Sequence, residues 1–222
     1  MIIEKVFDLI APYDCLGCGL EGGLLCGWCT SEKISTLPSR CYKCHQLTQD
    51  FATCEKCRPK VRISNVWVVS EYSGVAQNLI KKLKYERASI SAEIIAQFIF
   101  EILPCLPDDI IVVHIPTATS RRRLRGYDQS ELIAKSIAKQ FGLKHQTLVA
   151  RMGQSRQVGA KRAKRQTQLN NAFRIAKPQV VKQSKILLID DVVTTGATLE
   201  TVADVLKAGG AKKVYGAVFA QR

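Results

Sequence analysis

Short unbroken apolar runs alternate along this chain with segments in which apolar residues return every three or four positions. Ile110–Ile115 is apolar throughout except for His114, and Ile186–Ile189 is wholly apolar. Runs of this kind suit strands buried on both faces. Ile63–Tyr72 also has strand composition. Between these runs, Val75, Leu79, Ile80 and Leu83 form one face of a helix with the basic tail Lys81, Lys82 and Lys84. Ile90, Ile94, Ile95, Phe98 and Ile102 line a longer helix, Ser130–Phe141 predicts another, and Leu199, Val202, Ala203 and Leu206 give a further face. The alternation predicts an α/β fold: a parallel sheet flanked by helices, with ligands gathered at the strands' carboxyl ends. Pro116–Ser120, after the second of these strands, would then face the same crevice as the residues after Ile189. Residues 61–222 are read as this domain. Residues 1–60 read differently, as a short amphipathic helix over MIIEKVFDLIAP followed by a cysteine-rich module.

Eight of the nine cysteines fall in four C-x-x-C pairs: Cys15/Cys18, Cys26/Cys29, Cys41/Cys44 and Cys54/Cys57. One C-x-x-C turn points two thiolates at a tetrahedral ion, and two turns complete a site, so the module predicts two structural Zn²⁺ ions. Disulfides are the competing reading, and the regular spacing and a reducing cytosol oppose them. Pairing in sequence order gives two ribbons, Cys15–Cys29 and Cys41–Cys57; the sequence does not exclude a crossed arrangement, first pair with third. The module has few large apolar residues, so metal must supply much of its folding energy, on the order of 10 kcal/mol per site. His45 follows Cys44 but is superfluous beside eight thiols. Cys105, between Pro104 and Pro107, reads as a small packing residue.

The most informative segment is ILLIDDVVTTGAT, Ile186–Thr198. A buried strand delivers Asp190 and Asp191, a turn of small hydroxyl residues and one glycine follows, and a helix begins. Free amides and a positive dipole end at such a turn suit a phosphate. The carboxylates would repel it, so they should face sugar hydroxyls or a bridging metal ion. A phosphorylated sugar is the expected ligand. No G-x-x-x-x-G-K-[ST] loop accompanies the acids, which excludes an ATP site of that type. Arg121, Arg122, Arg123 and Arg125 follow Pro116–Ser120, and planar guanidinium forks hold phosphates bidentately. Arg121 and Arg125 are the expected ligands among them.

The net charge of +14 is concentrated. Leu132–Ile189 holds thirteen Lys and Arg and no acid, which predicts a polyanionic partner such as nucleic acid. Arg151, Arg156, Lys161, Arg162, Lys164 and Arg165 are its candidate contacts, with Trp28, Tyr42, Trp67, Tyr72 and Tyr127 as stacking platforms. No apolar run approaches the ~20 residues of a membrane span, and Glu4 and Asp8 with no basic flank argue against a signal peptide. The expected location is cytoplasmic, without membrane insertion.

The DDVVTTGAT run resembles the phosphoribosyl-pyrophosphate (PRPP) motif of type I phosphoribosyltransferases. That resemblance implies a type I phosphoribosyltransferase-like fold in which Asp190 and Asp191 take the ribose hydroxyls and are the catalytic pair. Thr194, Thr195, Gly196, Ala197 and Thr198 take the 5′-phosphate, and Pro116 and Thr117 belong to the pyrophosphate loop. Mg²⁺ would accompany PRPP. The order of a double C-x-x-C ribbon, K-x-L-K-Y (Lys81–Tyr85), R-G-Y-D-Q (Arg125–Gln129) and the PRPP run resembles the ComF family over nearly the whole chain. Asp128 departs from the commoner Asn, which weakens a direct role for that turn in binding an anion. The resemblance implies a PRPP-binding phosphoribosyltransferase, a glycosyltransferase by reaction type. It would act in natural transformation on imported single-stranded DNA, with a competence helicase or DNA-uptake proteins as partners. Two alternatives stand beside it: a non-catalytic single-stranded DNA binder with a vestigial or regulatory PRPP site, and a nucleobase salvage phosphoribosyltransferase.

Overall fold

A computed structural model describes residues 13–86, 88–152 and 172–222. The expected N-terminal helix and the basic residues Arg156, Lys161, Arg162, Lys164 and Arg165 lie outside the described residues.

Five parallel strands form the main sheet, in the order β1-β7-β6-β2-β3. They are β1 (Val66–Glu71), β2 (Ile110–His114), β3 (Lys144–His145), β6 (Lys185–Val193) and β7 (Lys213–Gln221). A separate antiparallel pair, β4 (Val149–Arg151) and β5 (Phe173–Ile175), brackets the basic segment. The helices are α1 (Gly27–Lys33), α2 (Gly74–Tyr85), α3 (Ala88–Ile102), α4 (Thr119–Arg125), α5 (Gln129–Phe141), α6 (Pro178–Val181) and α7 (Ala197–Ala208).

Apolar runs become strands here because both faces of the sheet are covered. Ile186–Ile189 are fully buried. Helix α3 packs on β1 and β7, α5 on β2 and β6, and α7 on β7. Phe98 of α3 meets Phe219 of β7 at 5.7 Å between ring centroids. Helix α5 stops at Gly142, whose left-handed φ of 66° lets its amide close on Ala138 and Lys139.

One register detail creates the crevice. The β2–β6 ladder ends at His114↔Ile189, whereas the β6–β7 ladder runs on to Val193↔Gln221. Asp190 and Asp191 therefore lie within the strand, but on a stretch that β2 no longer flanks. The opening this leaves is where Pro116–Ser120 departs from β2.

The cysteine module docks on this sheet. Leu37 N–H donates to Val69 O at 2.7 Å, Ser64 N–H to Val214 O at 3.1 Å, and Trp67 Nε1 to Asp50 Oδ1 at 3.0 Å. Its buried Leu24, Ile34, Tyr42 and Phe51 belong to the same apolar cluster as the strands. Among the described residues, no helix is long and apolar enough to cross a membrane.

Candidate functional site

Asp190 and Asp191 point into different surroundings although they are adjacent. Asp190 Oδ1 accepts from Ser130 Oγ on α5 at 2.9 Å and from the Asp191 amide at 2.9 Å. Burial, reinforced by the neighbouring Asp191 carboxylate, pushes its pKa up to about 8. Asp191 is buried and forms an ion pair with Lys84, near the end of α2. Its Oδ1 also accepts from the Val192 amide at 2.9 Å. Burial thus favours the uncharged form of Asp190, while Asp191 is paired with a lysine. Environment divides the labour between them.

The turn after β6 is shaped as an anion cradle. Gly196 has a left-handed φ of 75° and sits at the N-terminus of α7, where no side chain caps the helix. Glu200 N–H bonds back to Gly196 O at 2.9 Å, so the amides before it have no acceptor within the helix. Ala197 N–H makes a long contact to Thr195 Oγ1, 3.4 Å. A small concavity is lined by Asp190 and Val192 through Leu199. It brings together Asp190 and the expected phosphate residues Thr194, Thr195, Gly196, Ala197 and Thr198. A larger groove lies elsewhere, between α3 and α5, lined by Glu93, Gln97, Lys135 and Lys139 among others. Size does not make it the better candidate, because it offers no acid pair beside a cradle of amides.

The loop after β2 is fastened from below. Asp128 is buried, and its carboxylate accepts from the Thr117 amide at 2.8 Å and the Thr117 hydroxyl at 3.1 Å. This explains why Asp128, at the N-cap position of α5, makes no capping bond to its own helix. An acid in the R-G-Y-D-Q turn is therefore compatible with an anion site nearby, because it shapes the loop and does not face the ligand. Both Thr117 donors are engaged by it.

The K-x-L-K-Y and R-G-Y-D-Q segments meet in space. Tyr127 Oη donates to Leu83 O at 2.8 Å, and the Arg125 guanidinium lies 5.2 Å from the Tyr85 ring centroid. Arg125 Nε and Nη1 are buried without hydrogen-bond partners among the described residues, which leaves them free for an anion. Arg151, half-buried beside Phe173, has its pKa lowered by burial and then by Arg121, and raised by Asp190. Arg151 thus feels the charges of two PRPP candidates, Arg121 and Asp190. Of the expected stacking platforms, Trp28 is 60% exposed, whereas Tyr42 and Trp67 are 1% and 2% exposed and cannot stack on a base. His114 is buried and shares a 3.1 Å ring-nitrogen contact with His145.

The cysteines form two groups, Cys15/Cys18/Cys26/Cys29 and Cys41/Cys44/Cys54/Cys57, each with all sulfurs within 4.8 Å of one another. The pairing is in sequence order. Four sulfurs at ~2.3 Å from a tetrahedral Zn²⁺ stand ~3.8 Å apart, and Cys18–Cys26 and Cys44–Cys54 measure 3.8 and 3.5 Å. Each group can hold a zinc ion. His45 is outside the second group and meets Gln221 instead.

Sequence reasoning overlooks Lys84, Ser130 and Lys43, and reads Tyr42 only as a stacking platform. Lys84 belongs to a motif that was legible, but its partner 107 positions away was not. The others carry no local signal.

Residues 128–222 match the phosphoribosyl transferase domain family. The chain is 32% identical over 156 residues to DNA utilization protein YhgH of Salmonella typhi, covering 66% of this chain and 67% of that protein. It is 28% identical over 198 residues to competence protein ComFC of Streptococcus pneumoniae, covering 87% and 86%. Among solved structures, the glutamine PRPP amidotransferase of B. subtilis overlaps 63% of this chain and 30% of its own, with 14% identity and a TM-score of 0.45.

Proposed function

The chain belongs to the ComF family, and on that premise we propose that it binds PRPP through its phosphoribosyltransferase-like domain and serves the handling of imported single-stranded DNA. One observation carries the reading: Asp190, the first of two adjacent acids, and an uncapped, glycine-turned helix start line the same concavity at the end of β6. A pentose 5-phosphate presents hydroxyls to the acid and an anion to the helix start. The competence role rests on what the relatives are called, and the acid-free basic window of this sequence is consistent with a DNA partner.

In this reading Asp190 and Asp191 accept hydrogen bonds from the ribose hydroxyls, and Ser130 and Lys84 orient the two carboxyl groups. Arg125, with its unpaired buried nitrogens, and Arg121 hold the leaving pyrophosphate. Carboxylate oxygens are the donors Mg²⁺ prefers; Asp190 and Asp191 would hold it, and it would supply positive charge to the pyrophosphate. Turnover would break the C1–O bond with the electron pair departing on pyrophosphate, while an acceptor attacks an oxocarbenium-like carbon. Positioning and fixed charge supply the acceleration.

Pyrophosphate release, assayed over a panel of free bases and single-stranded DNA, tests the proposal. DNA-dependent release is expected. Release with a free base and none with DNA would identify salvage. Saturable, strongly salt-dependent DNA binding with no release under any condition would identify a non-catalytic binder.

A further inference from the structure

Cys41–Cys44 is the first C-x-x-C turn of the second cysteine group, and both residues between its cysteines touch the loop after β6. Lys43 Nζ donates to Thr195 O at 3.0 Å. Tyr42 lies against Gly196, where an added Cβ would meet Tyr42 Cε2 at 2.7 Å and Cδ2 at 3.2 Å. The Cδ2–Cε2 edge of the ring is therefore the part that faces the loop, with the hydroxyl borne on the carbon next to Cε2. That hydroxyl is buried, with no hydrogen-bond partner among the described residues. Buried hydroxyls almost always have partners, so one left unpaired beside an anion cradle calls for a ligand. The ammonium of Lys43 has three donors, and Thr195 O engages one of them.

The turn is fixed in place from the sheet side. Gln221, which ends β7 opposite Val193, donates through Nε2 to Tyr42 O at 2.8 Å and accepts from Arg40 Nη2 at 3.1 Å. The β7 residue paired with the last residue of β6 therefore also anchors the cysteine turn.

We propose that this C-Y-K-C turn is part of the anion site: the Tyr42 hydroxyl and the Lys43 ammonium donate to the 5-phosphate of a pentose phosphate seated in Thr194–Thr198. The inference rests on the PRPP reading and extends it. The second ribbon becomes a wall of the binding site, and the glycine at position 196 is required twice, by its backbone conformation and by the ring packed against it.

Calorimetric titration of ribose 5-phosphate and of Mg²⁺-PRPP into the full-length, zinc-loaded chain tests this, with zinc per chain measured for every variant. Lys43→Ala should weaken both ligands about tenfold, as expected for loss of a charge-assisted bond, and Lys43→Arg should restore most of it. Tyr42→Phe should weaken them ~3-fold or more. Lys33→Ala, which removes a first-ribbon lysine near Trp28, should change neither. All four variants should keep their zinc. If Lys43→Ala and Tyr42→Phe bind ribose 5-phosphate as the wild type does, the inference is overturned; the same holds if Lys33→Ala weakens binding as much as Lys43→Ala. If the wild type binds neither compound, the PRPP reading itself fails.

Discussion

The sheet and the cysteine ribbons of this protein hold their shapes by different means. In the sheet, Ile186–Ile189 and their neighbours on β2 and β7 are buried under helices, and removal of apolar surface from water stabilises the arrangement. In the ribbons, eight thiols converge in two groups, and the buried apolar residues Leu24, Ile34, Tyr42 and Phe51 join the sheet's cluster. The ribbons thus depend on metal and on docking together. This difference has a functional consequence, because the loop after β6 is shaped by both regions: by the β6–β7 ladder behind it and by Tyr42 and Lys43 in front.

Removing metal should break the comparison most sharply. With a strong chelator, the ribbons lose on the order of 10 kcal/mol per site. Thiol titration should then report eight newly reactive cysteines, while far-UV circular dichroism keeps the signal of the helices and sheet. Loss of that signal in parallel would mean that the sheet cannot stand without the ribbons.

The opposite perturbation is a cavity in the sheet. Leu187→Ala, at a fully buried position on β6, should cost about 2–5 kcal/mol in denaturant unfolding and leave the zinc content unchanged. Loss of zinc in that variant would show that the two regions share one cooperative transition.

A smaller effect sharpens the contrast within the site. Asp190 has a folded-state pKa raised to about 8, chiefly by burial. The stability it contributes when protonated is full below its unfolded value of ~3.9 and is lost as pH rises toward about 8. Ligand binding runs the other way, because a carboxylate accepts from ribose hydroxyls better than the neutral acid does. Affinity for Mg²⁺-PRPP should therefore climb as pH rises through about 8. Asp190→Asn should flatten the profile between pH ~7 and ~9, above the phosphate's own titration near ~6. Smallest of all, Ser130→Ala removes a bond that favours the carboxylate and should move the midpoint of the climb upward.

Much of this is legible in the sequence, for reasons that differ by element. Strands β2 and β6 announce themselves because burial on both faces demands unbroken apolar runs. The acid pair and the threonine turn are contiguous, so their chemistry can be read locally. Strand β7 escapes notice because Gly216, Ala217 and Ala220 dilute its apolar character; its small residues are needed where Leu199 and Val66 lie 3.4 Å from the space a Gly216 Cβ would fill. β4 and β5, three residues each, are too short to show a period. The Lys84–Asp191 pair, the Ser130 bond and the Tyr42–Gly196 contact join residues 60 to 154 positions apart. Only the folded chain reveals them. The role of Asp128 as a loop fastener resolves a departure that looked unfavourable in the sequence alone.

The central claim is that one pentose phosphate is shared by the acid pair and the glycine turn at the end of β6. Its most direct test is a calorimetric titration of PRPP with Mg²⁺ into the wild type and into Asp190→Asn/Asp191→Asn, each at pH ~8.5, where Asp190 is largely ionised in the wild type. The account predicts saturable binding at one site per chain in the wild type and an affinity at least ~100-fold weaker in the double variant, whose fold is retained by circular dichroism. Equal affinities in the two proteins would contradict it.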